Sequence, residues 1–316
     1  MTADRTITVT HTLGERIVVA SGGVELLTYV YAPDPHPSEV RKPYIHPLRT
    51  LAGSLVSGYR PSGHRWHKSM QVTAGLVSGE NFCGANPCQE PEGGPWAEER
   101  TGSVRHDGFS RFVAAEDRLR FVERLTWLGS GGQERAAERR TIELHSVDPT
   151  EGAWVLDWSL HLINVRDEPL RFGSATTADG ELGGCTGLNW RGPRDFVGGD
   201  VLGPGALGGE GQAGAAQLMG VPASEAPWIA FTAEHDETDA RSTLLFNHAP
   251  EIEGAVHSSH WYVSCEPIPS VALSWAFFDA FQLPPGESFG YRYRFVVADG
   301  AWDRDRAEAY FDSHQW

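Results

Sequence analysis

The chain has 316 residues, 40% of them hydrophobic and 10% aromatic, which is enough apolar surface for a large core and excludes global disorder. Its formal net charge of -16, from 42 acidic and 26 basic residues, would repel nucleic-acid phosphates and anionic lipid surfaces. No apolar run is as long as a membrane-spanning helix, and the first residues lead directly into strand-like alternation. We therefore expect a soluble cytoplasmic protein with neither nucleic acid nor membrane as a partner.

Alternating hydrophobicity recurs along most of the chain. A period of two residues buries one face of a strand and is typical of antiparallel sheets. Short runs of this kind cover 7–13, 16–20, 25–32, 72–77, 141–145, 228–232, 243–246 and 260–264. The longest alternating sets are Leu119, Phe121, Leu125 and Trp127, then Trp154, Leu156, Trp158, Leu160 and Leu162, and then Phe289, Tyr291, Tyr293, Phe295 and Val297. The pattern predicts an all-β fold, a large antiparallel β-sandwich that forms a single domain over 1–316.

A polar constellation lies early in the chain. It contains His46, Arg49, His64, Trp66, His67 and Lys68. Imidazole suits proton transfer near neutral pH and is also a common metal ligand. Residues three apart on a strand face opposite ways, so His64 and His67 converge only if the turn at Pro61–Gly63 redirects the chain. We predict His46, His64 and His67 as catalytic residues, and Arg49, Trp66 and Lys68 as substrate-binding residues.

A second constellation surrounds Arg191 and Arg194, which are separated by a Gly-Pro turn and follow Trp190. Two guanidinium forks can hold a carboxylate, a phosphate or adjacent sugar hydroxyls, and a tryptophan ring packs on the C–H face of a pyranose. We predict all three as substrate-binding residues. The segment 183–214 is rich in glycine but has no phosphate-loop lysine, so we predict a long surface loop there, most glycine-rich at about 197–214.

The last part of the chain adds three features. His257, His260 and Tyr262 form a further cluster, from which we predict His260 as a substrate-binding residue. A short helix is predicted at about 302–313, after an Asp-Gly turn. The four cysteines, Cys83, Cys88, Cys185 and Cys265, are too scattered for a disulfide framework or a zinc cluster and are expected to be free thiols.

No serine-hydrolase elbow, zincin motif or dinucleotide fingerprint is present. The leading hypothesis is an enzyme that uses acid/base chemistry on a small-molecule carbohydrate, as an epimerase, lyase or hydrolase. The carboxylate partner of the histidines stays open among Glu80, Glu181, Glu266 and Asp279. A non-catalytic sugar-binding module is the first alternative. The second is a metal-dependent enzyme built on the histidines; no cofactor is predicted otherwise, with a divalent metal as the open case.

Several motifs, taken in order, resemble the family called DUF6807, also labelled PmoA-like. They are His46-Pro47-Leu48-Arg49-Thr50, His64-x-Trp66-His67-Lys68, Gly79-Glu80-Asn81-Phe82, Gly187–Arg194, Trp228–Thr232, Leu283–Glu287 and Tyr293–Gly300. The resemblance implies a β-sandwich similar to the galactose-mutarotase-like supersandwich and a setting among sugar-catabolic proteins. It supplies no catalytic residues. Gly63, Ser69 and Cys83 depart from the family pattern, which implies a changed substrate or weakened activity in this member.

Overall fold

The computed structural model describes residues 5–36, 39–62, 64–84, 101–174, 176–177, 183–184, 186–249 and 258–316. Two large sheets and one small sheet dominate these residues, and all neighbouring strands in them run antiparallel. The predicted all-β, antiparallel fold class is confirmed. The described helices are α1 (Gly211–Leu218), α2 (Arg304–Ser313) and a 3-10 turn (Arg194–Phe196). None of them is long and apolar enough to span a membrane.

Each sheet runs from one edge strand to the other through hydrogen-bonded neighbours. The eight-stranded sheet contains, in that order, β1 (Ile7–Thr12), β2 (Arg16–Ser21), β3 (Val24–Val30), β4 (Tyr44–Leu48), β5 (Met70–Ala74), β12 (Thr186–Arg191), β18 (Ser270–Ser274) and β17 (His260–Ser264). The nine-stranded sheet contains β14 (Gly208–Gly209), β13 (Asp200–Leu202), β15 (Trp228–Glu234), β16 (Arg241–His248), β20 (Ser288–Asp299), β10 (Ala153–Asn164), β9 (Glu134–Asp148), β8 (Leu119–Leu128) and β7 (Ser103–Ala114). The small sheet contains β19 (Phe281–Leu283), β11 (Leu170–Gly173) and β6 (Leu76–Val77).

The two large sheets pack face to face through aromatic side chains. Tyr29 of β3 contacts Trp158 of β10 with ring centroids 6.3 Å apart, and Trp190 of β12 lies 5.4 Å from Phe246 of β16. All members of the three long alternating sets predicted from the sequence are buried in this core. Burial of large aromatic rings on both inner faces is the main source of stability in such a sandwich.

The C-terminal helix α2 covers the outer face of the nine-stranded sheet. The helix predicted at about 302–313 is confirmed, and Trp302 and Ala307 are buried with Val296 and Trp228, with Tyr310 packed beside them. Asp303 caps the helix by accepting a hydrogen bond from the backbone N–H of Arg306 at 2.9 Å. One outer face of the sandwich is thus closed by a helix.

The predicted surface loop over 183–214 is wrong. Residues 186–191 form β12, a fully buried strand in the middle of the eight-stranded sheet, and 197–214 holds β13, β14 and the start of α1. The glycines of this segment allow the backbones of neighbouring elements to approach closely, and they do not mark a loop. A Cβ on Gly187 would lie 1.8 Å from the carbonyl oxygen of Leu273, and one on Gly214 would lie 2.2 Å from that of Gly209. Helix α1 has no counterpart in the sequence-based prediction.

Charged side chains form a buried network in the core between the sheets. Glu123 accepts hydrogen bonds from Tyr29 and, at 2.5 Å, interacts with Nδ1 of His106. Arg140 donates to Tyr29 at 3.2 Å and to Glu138 at 2.7 Å. Partners on both sheets therefore share one network, and its loss would leave buried charges without contacts.

Candidate functional site

The outer face of the eight-stranded sheet is polar. Ile45, Met70 and Trp190 pair across β4, β5 and β12 and are buried on the inner face. Side chains alternate along a strand, so the next row, formed by His46 and Arg191 on either side of Ser69, faces outward. Further polar residues on this outer face of β5, β12 and β17 are Gln71, Asn189, His260 and Tyr262. One residue from each predicted cluster, His46, Arg191 and His260, therefore lies on this face.

Two consecutive turns bring His64 and His67 together. The N–H of His64 donates to the carbonyl of Pro61 at 2.9 Å, and the N–H of His67 donates to the carbonyl of His64 at 3.0 Å. The two imidazole centroids are 6.3 Å apart, and the partly exposed ring of Trp66 lies 5.0 Å from that of His64. The change of chain direction that His64 and His67 need in order to converge is therefore present. Gly63, the departure from the family pattern, lies outside the described residues.

Arg191 makes the central contact of the site. Its Nη1 donates a hydrogen bond to Nδ1 of His67 at 3.3 Å. Because a guanidinium only donates, Nδ1 accepts, so the neutral His67 ring carries its proton on Nε2. Burial and the charge of Arg191 lower the pKa of His67 to about 3, and the ring is neutral at pH 7. Among the described residues, the hydrogen bond that the His67 side chain makes is therefore at Nδ1, not at Nε2.

Arg191 is an unusual buried cation. It is 8% exposed, and burial lowers its pKa to about 10. Within the described part of the chain Arg191 forms no salt bridge, and no Asp or Glu side chain forms a salt bridge with His64 or His67. The buried Lys42 adds a second positive charge that lowers the pKa of His67, and it donates to the carbonyl of Phe82 at 2.9 Å. Two positive charges, those of Arg191 and Lys42, therefore act on the His67 ring.

His46 borders this site rather than joining it. Its ring stacks on Tyr59 at 4.5 Å, and its Nδ1 lies 2.9 Å from Oγ of Ser57. Two strand spacings, roughly 10 Å, separate its position from that of Arg191. Burial and the charge of Arg49 lower the pKa of His46 to about 4. Arg49 itself donates to the carbonyl of Gly53 at 3.2 Å, so these two predicted residues form a separate group.

Lys68 points away from the histidines and into an ion-pair cluster that the sequence did not indicate. Its Nζ lies 2.8 Å from Oε2 of Glu39, and both side chains are buried. Arg60 binds the other carboxylate oxygen of Glu39, with Nη2 at 2.6 Å. Tyr59, which is 43% exposed, lies beside this cluster. Neither Glu39 nor Tyr59 belongs to a recognisable sequence motif, so only their contacts in the structure identify them.

Two predicted substrate-binding residues require correction. Trp190 is buried in the inner core, where its Nε1 donates to the carbonyl of Val56 at 2.9 Å. Side chains alternate along β12, so Trp190 faces inward while its neighbour Arg191 faces outward. Arg194 lies exposed at the start of the 3-10 turn and has no contact with the predicted histidines, since the turn after Pro193 carries it away from β12. His260 lies on the polar outer face but on the edge strand, stacked at 6.0 Å on Phe277. The neighbouring His257 and Cys185 are outside the described residues.

No group of three His, Cys, Asp or Glu side chains within the described ranges is arranged to hold a metal ion. Cys83 and Cys265 are buried, and burial raises the pKa of the Cys265 thiol to about 12. The groups that the structure brings together are therefore a neutral imidazole, a second histidine, a buried guanidinium and a tryptophan ring.

Residues 16–312 match the model of a family of unknown function, DUF6807. The chain belongs to this family. The match spans the nine-stranded sheet, the eight-stranded sheet apart from β1, and every residue of the site described above, which confirms the family predicted from the motifs. The family description states no activity, and the PmoA-like label remains a prediction. No curated protein matches the chain.

Several solved structures show weak similarity. A putative aldose 1-epimerase from Klebsiella pneumoniae is 11% identical, with 97% of this chain and 85% of that chain covered and a TM-score of 0.44. A GH36 α-galactosidase from Geobacillus stearothermophilus is 14% identical, with 94% and 41% covered and a TM-score of 0.40. An α-galactosidase from Lactobacillus brevis is 11% identical, with 95% and 40% covered and a TM-score of 0.41. The chain thus spans about 40% of these galactosidases, and similarity at this level carries no functional assignment.

Proposed function

We propose that this protein is a carbohydrate-active enzyme that uses acid/base chemistry at a sugar carbon. The observation that carries the proposal is the hydrogen bond from Arg191 to Nδ1 of His67. It fixes a neutral imidazole with a proton on Nε2 beside a buried positive charge. A neutral imidazole of this kind donates a hydrogen bond to a carbonyl oxygen, and a nearby cation stabilises the negative charge that develops there.

His64 is the better candidate for the proton-transfer base. It is less buried than His67, and burial followed by the charge of Arg191 lowers its pKa below the ordinary value. It is therefore neutral at pH 7 and able to accept a proton from a carbon acid. In this assignment His67 polarises the substrate carbonyl and His64 removes the adjacent proton. The proton-transfer role predicted for both histidines together is thereby divided between them.

A sugar fits the surroundings of these groups. The partly exposed indole of Trp66 lies next to His64 and offers a flat apolar surface to the C–H face of a pyranose. Oε1 of Gln71 is buried without a hydrogen-bond partner in the described residues, and it can accept a hydrogen bond from a substrate hydroxyl. Its Nε2 is held by the carbonyl of Trp66 at 3.1 Å, so this acceptor is fixed relative to the indole.

The arrangement favours an epimerase or lyase over a hydrolase. Glycoside hydrolysis generally uses a pair of carboxyl groups across the scissile bond. Removal of a proton next to a carbonyl instead needs a base and an oxyanion stabiliser, which His64, His67 and Arg191 provide. Glu181, one of the carboxylates considered as a partner, lies outside the described residues.

The test is exchange of a sugar C–H proton with solvent. Aldoses, ketoses and oxidised glycosides are incubated in D2O with the protein, and deuterium at the carbon next to the carbonyl is followed by NMR. We expect at least one sugar to exchange, and His64→Asn to abolish that exchange. His161→Asn, on the other large sheet, is the matched control and should exchange normally.

Two outcomes would replace the proposal. Saturable sugar binding without exchange or turnover for any sugar would favour the binding module. Loss of activity with a chelator and its return with zinc or manganese would favour the metal-dependent enzyme.

A further inference from the structure

A cleft lies beside Tyr59, Arg60 and Lys68, which belong to the segment that also carries His64 and His67. It has a volume of about 560 Å³, which is in the range of small-molecule sites. Its lining includes Arg16, His36, Glu39, Tyr59, Arg60 and Lys68. None of these residues belongs to the groups assigned above to proton transfer. The backbone N–H of Arg60 donates to the carbonyl of His67 at 2.8 Å, so one short segment separates the cleft from the proposed active site.

The floor of the cleft is a fixed polar cluster. The Glu39 side chain is 3% exposed and bridges Arg60 and Lys68. Burial acts to raise the pKa of Glu39, but the hydrogen bonds from Arg60 and Lys68 outweigh it, and the pKa lies below its ordinary value. The carboxylate is therefore ionised. Guanidinium and ammonium groups held in this way have their remaining N–H donors in set directions, which suits adjacent hydroxyl groups on a ring.

One wall of the cleft is a rigid aromatic surface. His46 stacks on one face of Tyr59, with the rings only 7° from parallel, and the hydroxyl of Tyr44 lies 3.3 Å from that of Tyr59. Tyr59 as a whole is nevertheless 43% exposed. A ring fixed on one side and exposed on the other loses little conformational freedom when a ligand packs on it.

We propose that this cleft binds a neutral pyranose unit, as a second carbohydrate site independent of the proton-transfer chemistry. The described lining holds three cationic side chains, Arg16, Arg60 and Lys68, and three anionic ones, Glu15, Asp34 and Glu39. This balance favours an uncharged ligand over a phosphate or a carboxylate. A pyranose matches both parts of the cleft: its C–H face packs on Tyr59, and its hydroxyl groups meet the polar floor.

The test uses methyl α- and β-glucopyranosides and galactopyranosides, with binding measured by saturation-transfer NMR and calorimetry. We expect at least one glycoside to bind, with saturation transfer strongest at its C–H protons. Tyr59→Ala should weaken its binding about tenfold. Tyr59→Phe keeps the ring and should retain most of the affinity. Phe112→Ala, which removes another exposed aromatic ring, should have no effect.

Further measurements separate this site from the proposed active site. Tyr59→Ala should keep the thermal midpoint of the wild type, and Arg191→Gln should leave glycoside affinity at the cleft unchanged. Binding by glucuronate or glucose 6-phosphate in preference to the neutral glycosides would overturn the proposal. So would equal affinity of the wild type and Tyr59→Ala, or no binding of any glycoside at tens of millimolar. Loss of proton exchange in His64→Asn tests the active site alone.

Discussion

Arg191 donates to the Nδ1 atom of His67 across 3.3 Å, from a strand in the middle of the eight-stranded sheet to a segment that joins two of its strands. The contact joins a buried cation to an imidazole whose pKa is about 3. The imidazole is therefore neutral at pH 7 and does not repel the guanidinium. It also leaves the Nε2–H of His67 as the only proton that this ring can donate. The expected effects of mutation and of pH follow from this relationship and from the buried groups around it.

Replacing Arg191 should damage catalysis more than stability. Arg191→Gln removes the charge and should lower kcat/KM for an exchanging sugar by roughly 10²- to 10³-fold, because the developing oxyanion loses its cation. The urea midpoint should fall only slightly, because the variant loses a buried charge that makes no ion pair among the described residues and is costly to desolvate. Arg194→Gln is the matched control and should behave as wild type. Equal kinetic losses in the two variants would show that Arg191 has no special role.

The pH dependence of the rate should report His64. A base must be unprotonated, so the rate should rise with pH through a pKa below the ordinary 6.5 of histidine. Burial and the charge of Arg191 both lower this pKa, so Arg191→Gln should move the acidic limb of kcat/KM to higher pH. His64→Asn should depress the rate by about 10²- to 10⁴-fold and remove the limb. A limb that persists in His64→Asn would assign it to another group.

Stability should decrease as the pH falls below 6.5, because buried histidines must stay neutral in the fold. Burial lowers the pKa of His248 and of His46 to about 4, while the unfolded chain binds protons near 6.5. Between these values the unfolded state binds more protons, so acid favours unfolding. Each such histidine contributes a slope of at most about 1.4 kcal/mol per pH unit.

Urea denaturation of variants at pH 7.0 and 5.0 tests this slope. His248→Leu should show a smaller loss of unfolding free energy over this interval than the wild type. The control Leu13→His adds an imidazole at a position that is 82% exposed and should not change the slope. An unchanged slope in His248→Leu would mean that His248 is protonated at little cost in the folded protein.

The buried network between the sheets should be intolerant of losing one charge. Glu138→Gln removes the carboxylate that contacts Arg140 at 2.7 Å, and it should destabilise the fold by roughly 3–5 kcal/mol. Asp117→Asn breaks an exposed pair with Arg118 and should leave the urea midpoint unchanged. If both variants unfold at the wild-type midpoint, the network contributes no more than a surface ion pair.

The fold was largely predictable from the sequence, while the site was only partly so. Hydrophobic residues alternate strictly along the strands that contain Trp154 and Phe295, and this determines which face of each strand is buried. A hydrophobic period of two residues is compatible with few structures other than a β-strand. The convergence of His64 with His67 depended on hydrogen-bonded turns that a Pro-Gly pair only suggests. Trp190 was predicted to bind substrate together with Arg191, but neighbours in sequence point to opposite sides of β12, and Trp190 lies on the inner face. Glu39 and Tyr59 could not be identified from the sequence, because their contacts are with residues distant in the chain and no local sequence pattern indicates such contacts.

The most direct test of the central claim is the protonation state of the His67 ring, measured by ¹⁵N NMR on histidine-labelled protein and assigned by loss of its signals in His67→Asn. At pH 7 we predict a neutral ring with the proton on Nε2 and an Nδ1 shift typical of a hydrogen-bond acceptor. Arg191→Gln should move the Nδ1 shift toward that of an unbound nitrogen. An imidazolium at pH 7, or a proton on Nδ1, would contradict the proposed arrangement.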